Sequence, residues 1–333
     1  MTGLLAAWLA VAILGLVPAP QTLAEEGGSL VPNPGAELWR AVRQKEGPVV
    51  GDTKAQGVEA GVLIDRAGEW WRRIRVEKLV PYGAGFIGLN VALIVLWYLF
   101  RGRIRIDGGR SGRLVPRFDL AQRLAHWFLA SLFLLLAVTG LVLLYGRFLL
   151  IPLVGEAGFS VIASASKEAH NLFGPIFPFA VIAVFLLFLG GNGFKVVDLK
   201  WIIRGGGLMR RHAPAGYYNA GEKLWFWAVI LLGVALSVSG LILDFPIFGQ
   251  GRQWMEWSLI VHGVAAVLLI AGFLGHIYLA TLGMEGAIES ITDGRVDANW
   301  AKQHHDLWYE QVKDQEQTPP GKTERGPAGK QPA

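Results

Sequence analysis

The chain has 333 residues, of which 53% are hydrophobic and 17% charged, with a formal net charge of +5 and no cysteine. Ordinary soluble proteins carry roughly 25% charged residues, and the apolar residues here fall in long blocks, so the class is a multi-span membrane protein. The lack of cysteine excludes disulfides and ordinary iron–sulfur clusters within this chain. The arginines sit beside apolar blocks rather than on a basic domain, which argues against a nucleic-acid partner.

Taken in chain order, residues 1–24 read as a signal peptide. The apolar run from Leu4 to Val17 is too short to span, and small residues follow around Ala24, although no Lys or Arg precedes the run. Residues 25–80 are polar, mixed in charge and dotted with Pro and Gly, and they carry Trp39, Trp70 and Trp71. That composition suits a small docking segment. Five apolar blocks follow, near 84–100, 124–145, 172–190, 224–243 and 258–281, each about the length that a bilayer requires. The stretch 291–315 is expected to form an amphipathic helix, and 316–333 has the composition of a disordered tail. No internal repeat stands out.

Orientation follows from the loops. "RGRIRIDGGRSGRLVPRFDLAQR" holds seven Arg against two Asp, and Gly191 to Lys223 holds Lys195, Lys200, Arg204, Arg210, Arg211 and Lys223 against two acids. The loops expected at 146–170 and 244–257 carry few positive charges. The positive-inside rule places the two basic loops and the C-terminus in the cytoplasm and the N-terminal segment in the periplasm of a bacterial inner-membrane protein. The cluster "WWRRIRVEK", Trp70 to Lys78, opposes this reading and is outweighed.

Topology then sorts the histidines. His126 opens the second block and His276 lies late in the fifth, so both fall near the cytoplasmic face. His170 precedes the third block and His262 lies early in the fifth, so both fall near the periplasmic face. Fourteen residues of helix separate His262 from His276 by about 21 Å and leave them within about 40° of one face. They are too far apart to share a metal, but each can join a partner at its own depth. Haem fits best, because the porphyrin supplies four equatorial bonds and the protein need supply only axial imidazoles. No C-x-x-C-H occurs, so the haem is expected to be of b type. Gly140, Gly240, Gly263, Gly272 and Gly275 can let a flat ring approach helix backbones. Arg117 and Arg123 are candidates for haem propionates, with ordinary loop charge as the plainer alternative. For His212, His304 and His305 the expectation is a solvent-facing position.

The motifs "RLAHW", "AHNLFG", "YYNAGEKLWFW", "LIVHG", "GHIYLA" and "WAKQHHDLWYEQV", in order over roughly residues 117–312, resemble the cytochrome b (gamma) subunit of membrane-bound, quinone-linked formate dehydrogenases. The resemblance implies an all-α integral membrane fold, a four-helix haem-binding transmembrane bundle at 117–290 plus one extra N-terminal transmembrane helix at 84–100. It implies two b haems, one held by His170 and His262 and the other by His126 and His276. It also implies a quinone site (menaquinone or ubiquinone) lined by Asn219 and Gly221 beside His276. The implied partners are an iron–sulfur (beta) subunit and a molybdenum or tungsten (alpha) subunit on the periplasmic side. From the residues alone, "YYNAGEK" reads as a polar loop with Asn219 as a helix cap, and Glu222 as a cap residue before a proton relay. Two alternatives stand beside this reading. One is the haem subunit of a hydrogenase or thiosulfate reductase. The other is a proton-relaying transporter or anchor, which is weakened because no Asp or Glu lies in the middle of any of the five blocks.

Overall fold

The first apolar block is helical well ahead of its apolar stretch. Along the chain come α1 (Arg66–Arg73), a wide-turn stretch (Ile74–Leu79) and α2 (Val80–Arg101). Gly102, at φ 63, ends α2 in a left-handed conformation that lacks a Cβ penalty. The computed structural model describes residues 66–206 and 213–317. The expected signal peptide, most of the segment 25–80, His212 and almost all of the tail 316–333 lie outside the described residues.

After strand β1 (Leu114–Pro116), α3 (Leu120–Leu149) starts at a capping box, with Gln122 N donating to Asp119 Oδ1 at 2.8 Å and Asp119 N to Gln122 Oε1 at 3.2 Å. Its 30 residues extend about 45 Å, beyond the roughly 30 Å of bilayer hydrocarbon. The chain reverses at Leu150 into α4 (Ile151–Phe173), which is broken at Gly155 (φ 72, ψ 174) and runs back along α3. A short 3-10 turn (Gly174–Ile176) leads into α5 (Phe177–Phe188), so residues 151–188 form one long apolar crossing. The loop expected at 146–170 is therefore mostly helix. Glu156, Ser160, Ser164, Lys167 and Glu168 lower its hydropathy, while its packing against α3 supplies what hydropathy lacks: Phe159 closes on Gly146, where a Cβ would meet the ring at 2.8 Å.

The short helix α6 (Val196–Ile203) precedes α7 (Ala220–Asp244), and α8 (Arg252–Tyr278) is the last long helix. Five helical stretches among the described residues are long and apolar enough to cross a membrane. Phe133, Phe177, Val181, Phe226, Ile230, Leu269 and Ile270 interlock α3, α5, α7 and α8 into an all-α bundle. The first span packs behind α8: Leu79 meets Gly263, Gly83 meets Val267, and Tyr98 lies edge-on to Tyr278 at 6.2 Å. Positions 263, 267 and 278 lie about 100–160° around α8 from His262. The extra helix therefore packs on a face of α8 turned away from its histidines.

Where a single amphipathic helix was expected at 291–315, the chain forms α9 (Glu289–Thr292), β2 (Arg295–Asp297), α10 (Ala298–His304) and α11 (Asp306–Val312). β2 pairs antiparallel with β1, Val115 opposite Val296. Ile106, Val115, Val296, Trp300, Ala301 and Trp308 form a second core, a cap built from the loop after the first span and the C-terminal segment. Asp297, 2% exposed, holds the two together by accepting from the backbone N–H groups of Ser111, Gly112 and Asn299 at 2.9–3.1 Å. A helix-period pattern cannot announce this, because the partners of 291–315 lie almost 200 positions earlier in the chain.

Two imidazole pairs and a buried arginine

The four histidines within the spans meet as two pairs. His170 on α4 and His262 on α8 have ring centres 6.0 Å apart, and His126 on α3 and His276 on α8 have ring centres 6.1 Å apart. Two metal–imidazole bonds of about 2 Å, each with a further ~1.2 Å from ring nitrogen to ring centre, require about 6.4 Å. Both pairs stand within about 0.4 Å of that spacing, close enough for the two imidazoles to flank one iron. No group of three or more His, Cys, Asp or Glu suited to a bare metal ion occurs among the described residues. A two-imidazole donor set suits a metal that brings its own equatorial ligands, which is the chemistry of haem.

The pairs differ in what holds their rings. Thr139 Oγ1 lies 2.9 Å from His170 Nδ1 and 2.9 Å from the carbonyl of Leu135, one turn back on α3. Ser239 Oγ lies 3.1 Å from His262 Nδ1 and 2.6 Å from the carbonyl of Ala235, one turn back on α7. The next residue is glycine in each case, and a Cβ at Gly140 or Gly240 would stand 3.3 Å from the facing imidazole Cε1. These two glycines thus face imidazole rings. Gly263 and Gly272 are covered by Leu79 and Trp225, and Gly275 is open. At the other pair, Trp225 stacks on His276 (5.3 Å, 18°), while His126 Nδ1 is buried without a partner. Between the pairs, Phe133 meets Phe273 edge-on at 5.0 Å and Phe177 at 6.4 Å, filling the gap with apolar rings. Thr139, Ser239 and Trp225 escaped sequence reasoning; the signals were a Thr-Gly and a Ser-Gly dipeptide a hundred positions apart.

Asn219 and Gly221 lie one to two turns before Trp225. Asn219 caps α7: its Oδ1 accepts from Glu222 N at 3.0 Å, and Glu222 Oε2 accepts from Asn219 N at 2.9 Å. Glu222 is thus a cap residue, and its carboxylate also pairs with Arg117 Nη2 at 3.0 Å. Gly221 lies under Trp201 of α6, which a Cβ there would meet at 3.0 Å. Lys223 Nζ bonds Asp198 at 2.8 and 3.0 Å, with both side chains buried, and this pair ties α6 to α7.

Arg117 does not sit free for an outside carboxylate. Its side chain is fully buried, with the faces of Phe118, Tyr217, Trp300 and Trp308 5.0–5.3 Å from the guanidinium. Tyr217 donates to the Arg117 carbonyl, and Arg123 donates to the Thr292 carbonyl. His305, expected to face solvent, is 1% exposed. Its Nδ1 lies 2.8 Å from Gly216 O and its Nε2 3.2 Å from Arg117 Nη2, so Nδ1 carries the proton and Nε2 accepts from the guanidinium.

Burial first, and the Arg117 charge second, hold the His305 imidazole well below its ordinary range and push His304 down to about 4. Both groups stay neutral in the fold and take up protons on unfolding. Their stability contribution is complete above the unfolded pKa of about 6.5 and is lost as pH falls below it, for His304 down toward 4. For His304 the loss is on the order of 3 kcal/mol. Melting curves in detergent should show Tm falling through this window, and His304→Gln should flatten the fall. An unchanged slope in the variant would remove His304 from this account.

Residues 117–294 match the family described as prokaryotic cytochrome b561. The cytochrome b556(fdo) subunit of formate dehydrogenase from Escherichia coli K12 is 32% identical over 204 residues, 60% of this chain and 93% of that protein. The nitrate-inducible cytochrome b556(Fdn) subunit of the same organism is 28% identical over 208 residues, 61% and 93% respectively. The cytochrome b556 subunit of formate dehydrogenase from Haemophilus influenzae is 30% identical over 216 residues, 62% and 86%.

Proposed function

We propose, from the premise that this chain belongs to the prokaryotic cytochrome b561 family and to its formate dehydrogenase cytochrome b556 branch, that it is the membrane subunit of a formate dehydrogenase. In this reading it lies in the bacterial inner membrane with the His170–His262 pair toward the periplasm (the outer pair) and the His126–His276 pair toward the cytoplasm (the inner pair). It receives electrons from an iron–sulfur subunit, itself served by a molybdenum or tungsten subunit that oxidises formate, and it delivers them to quinone at the inner side. The carrying observation is the two imidazole pairs at 6.0 and 6.1 Å, one toward each end of one apolar bundle.

When bound, a b haem at each pair would supply a one-electron redox site, held by the two histidines of that pair. The chain's own residues do the rest. His170 and His262 grip from α4 and α8, His126 and His276 from α3 and α8. Phe133, Phe177 and Phe273 keep water from the space between. The loop ending in Asn219, together with Gly221 in the first turn of α7, is the quinone-facing element of this proposal. Trp225, one turn beyond Gly221, stacks on His276 and so joins that loop to the inner pair. The cap holds the loop from below: Ala215 N donates to Asp306 Oδ1 at 2.9 Å, and Leu307 N donates to Ala215 O at 3.1 Å.

Absorbance of native membranes tests the whole reading. Formate should reduce a b-type spectrum that quinone then reoxidises, and the purified chain should hold two haems by pyridine haemochrome. A haem-free chain sinks the haem reading. A spectrum that hydrogen but not formate reduces moves the donor to a hydrogenase.

A further inference from the structure

The two imidazole pairs are gripped by different chemistry, and the difference has a direction. Thr139 and Ser239 stand on different helices, yet each places its hydroxyl between a carbonyl one turn back on its own helix and the Nδ1 of the facing histidine. A hydroxyl has one hydrogen. If Nε2 of His170 or His262 is to hold a metal, Nδ1 carries the proton and donates it to the hydroxyl oxygen, and the hydroxyl hydrogen goes to the Leu135 or Ala235 carbonyl. All three groups are then satisfied in one line. Among the described residues nothing comparable exists at the other pair: His126 Nδ1 has no protein partner, and His276 is held by Trp225 stacking.

We infer that Thr139 and Ser239 are positioning residues that set the outer pair to a lower reduction potential than the inner pair, and so give the electron path its direction. The inference rests on the two-haem reading above. An imidazole that donates Nδ1–H to an acceptor chain gains electron density at Nε2 and becomes a more basic ligand. A more basic axial ligand favours the oxidised metal, and second-shell hydrogen bonding is one of the levers by which a protein sets a haem potential. Both outer ligands have the relay and neither inner ligand does, so the two contributions add on the same side. The polar relay therefore orders the two sites energetically, from the periplasmic entry toward the cytoplasmic exit. Gly140 and Gly240 belong to the same device, since each leaves the imidazole room to reach the hydroxyl beside it.

Spectroelectrochemical titration of the intact complex tests this, with Thr139→Val, Ser239→Ala, their double variant, and the hydroxyl-retaining Thr139→Ser and Ser239→Thr. The outer component is the one missing from His262→Ala. In the wild type it should be the component of lower potential. It should move upward in Thr139→Val and in Ser239→Ala, further in the double variant, and little in the hydroxyl-retaining pair, while the inner component stays in place. If the outer component is the higher of the two, or stays in place in both single variants with haem retained, the inference falls and the two-haem reading stands. Loss of that haem from both single variants also overturns it, because a tuning role requires the haem to remain with an altered potential. A wild-type complex without two b components fails at the earlier reading.

Discussion

On the two-haem proposal, His262→Ala should bind one haem per chain in place of two, and His170→Ala should do the same. The ring centres of this pair stand 6.0 Å apart on two different helices, so deleting either ring leaves one axial ligand and an apolar gap where the other stood. A haem at this pair would lose half of its protein ligation and face an unfilled gap, and b-type haem has no covalent tether to compensate. His126→Ala and His276→Ala should remove the other haem by the same argument at 6.1 Å. The four variants separate further when formate is added to membranes. Loss of the outer pair should cut reduction of the remaining haem by more than tenfold, because the entry site is gone. Loss of the inner pair should leave the outer haem reducible and stop its reoxidation by quinone. Haem content by pyridine haemochrome is the deciding measurement, and two haems in any of the four variants reassigns that ligand.

The second large effect is expected at Lys223 and Asp198. Their bonds of 2.8 and 3.0 Å join α6 to the first turn of α7, with side chains only 3% and 5% exposed. Lys223 also donates to Gly193 O at 3.0 Å, and Asp198 accepts from Lys195 N at 2.5 Å. Removing one partner leaves a buried charge uncompensated, which costs about 3–5 kcal/mol. Lys223→Met should therefore lower thermal stability sharply. The displaced α6 carries Trp201 away from Gly221, so quinone reduction should fall by more than haem content does. Pairing Lys223→Met with Asp198→Leu should recover much of the stability, because replacing both charges removes the desolvation penalty along with the attraction. Calorimetry of the two singles and the double decides it; equal damage in the double and the single would mean that packing and not charge holds α6.

Much of this molecule was legible in its sequence, and the reasons differ from part to part. The five crossings follow from hydropathy over bilayer-length windows, and the assembly of four histidines into two pairs follows from helical period and alternating topology. Both are local or near-local regularities. The start of α4 was hidden because Ser160, Ser164, Lys167 and Glu168 read as a polar loop, whereas Phe159 closes on Gly146 of α3 and Ser166 is buried. The burial of His305 was hidden for a different reason. Its partners Arg117 and Gly216 are 188 and 89 positions away, and no periodicity carries information over that separation. Arg117 illustrates the same limit: a basic residue before a span invites a role with an external anion, but four aromatic faces and Glu222 already enclose it. The relay from Thr139 and Ser239 sat in plain view as two dipeptides, but only the antiparallel pairing of α3 with α4 and of α7 with α8 shows that each faces a histidine.

The β1–β2 pairing also has a consequence for how the protein is made. Val115 leaves the ribosome about 180 residues before Val296, its partner, an interval of roughly 9–36 seconds at 5–20 residues per second. Throughout that interval Arg117 lacks Trp300, His305 and Trp308, and for about the first 100 residues of it Tyr217 and Glu222 are missing as well. The cap closes only after the last crossing is inserted. A nascent chain that stalls before Val296 leaves the β1 edge unpaired and Arg117 without the Trp300, His305 and Trp308 side of its enclosure.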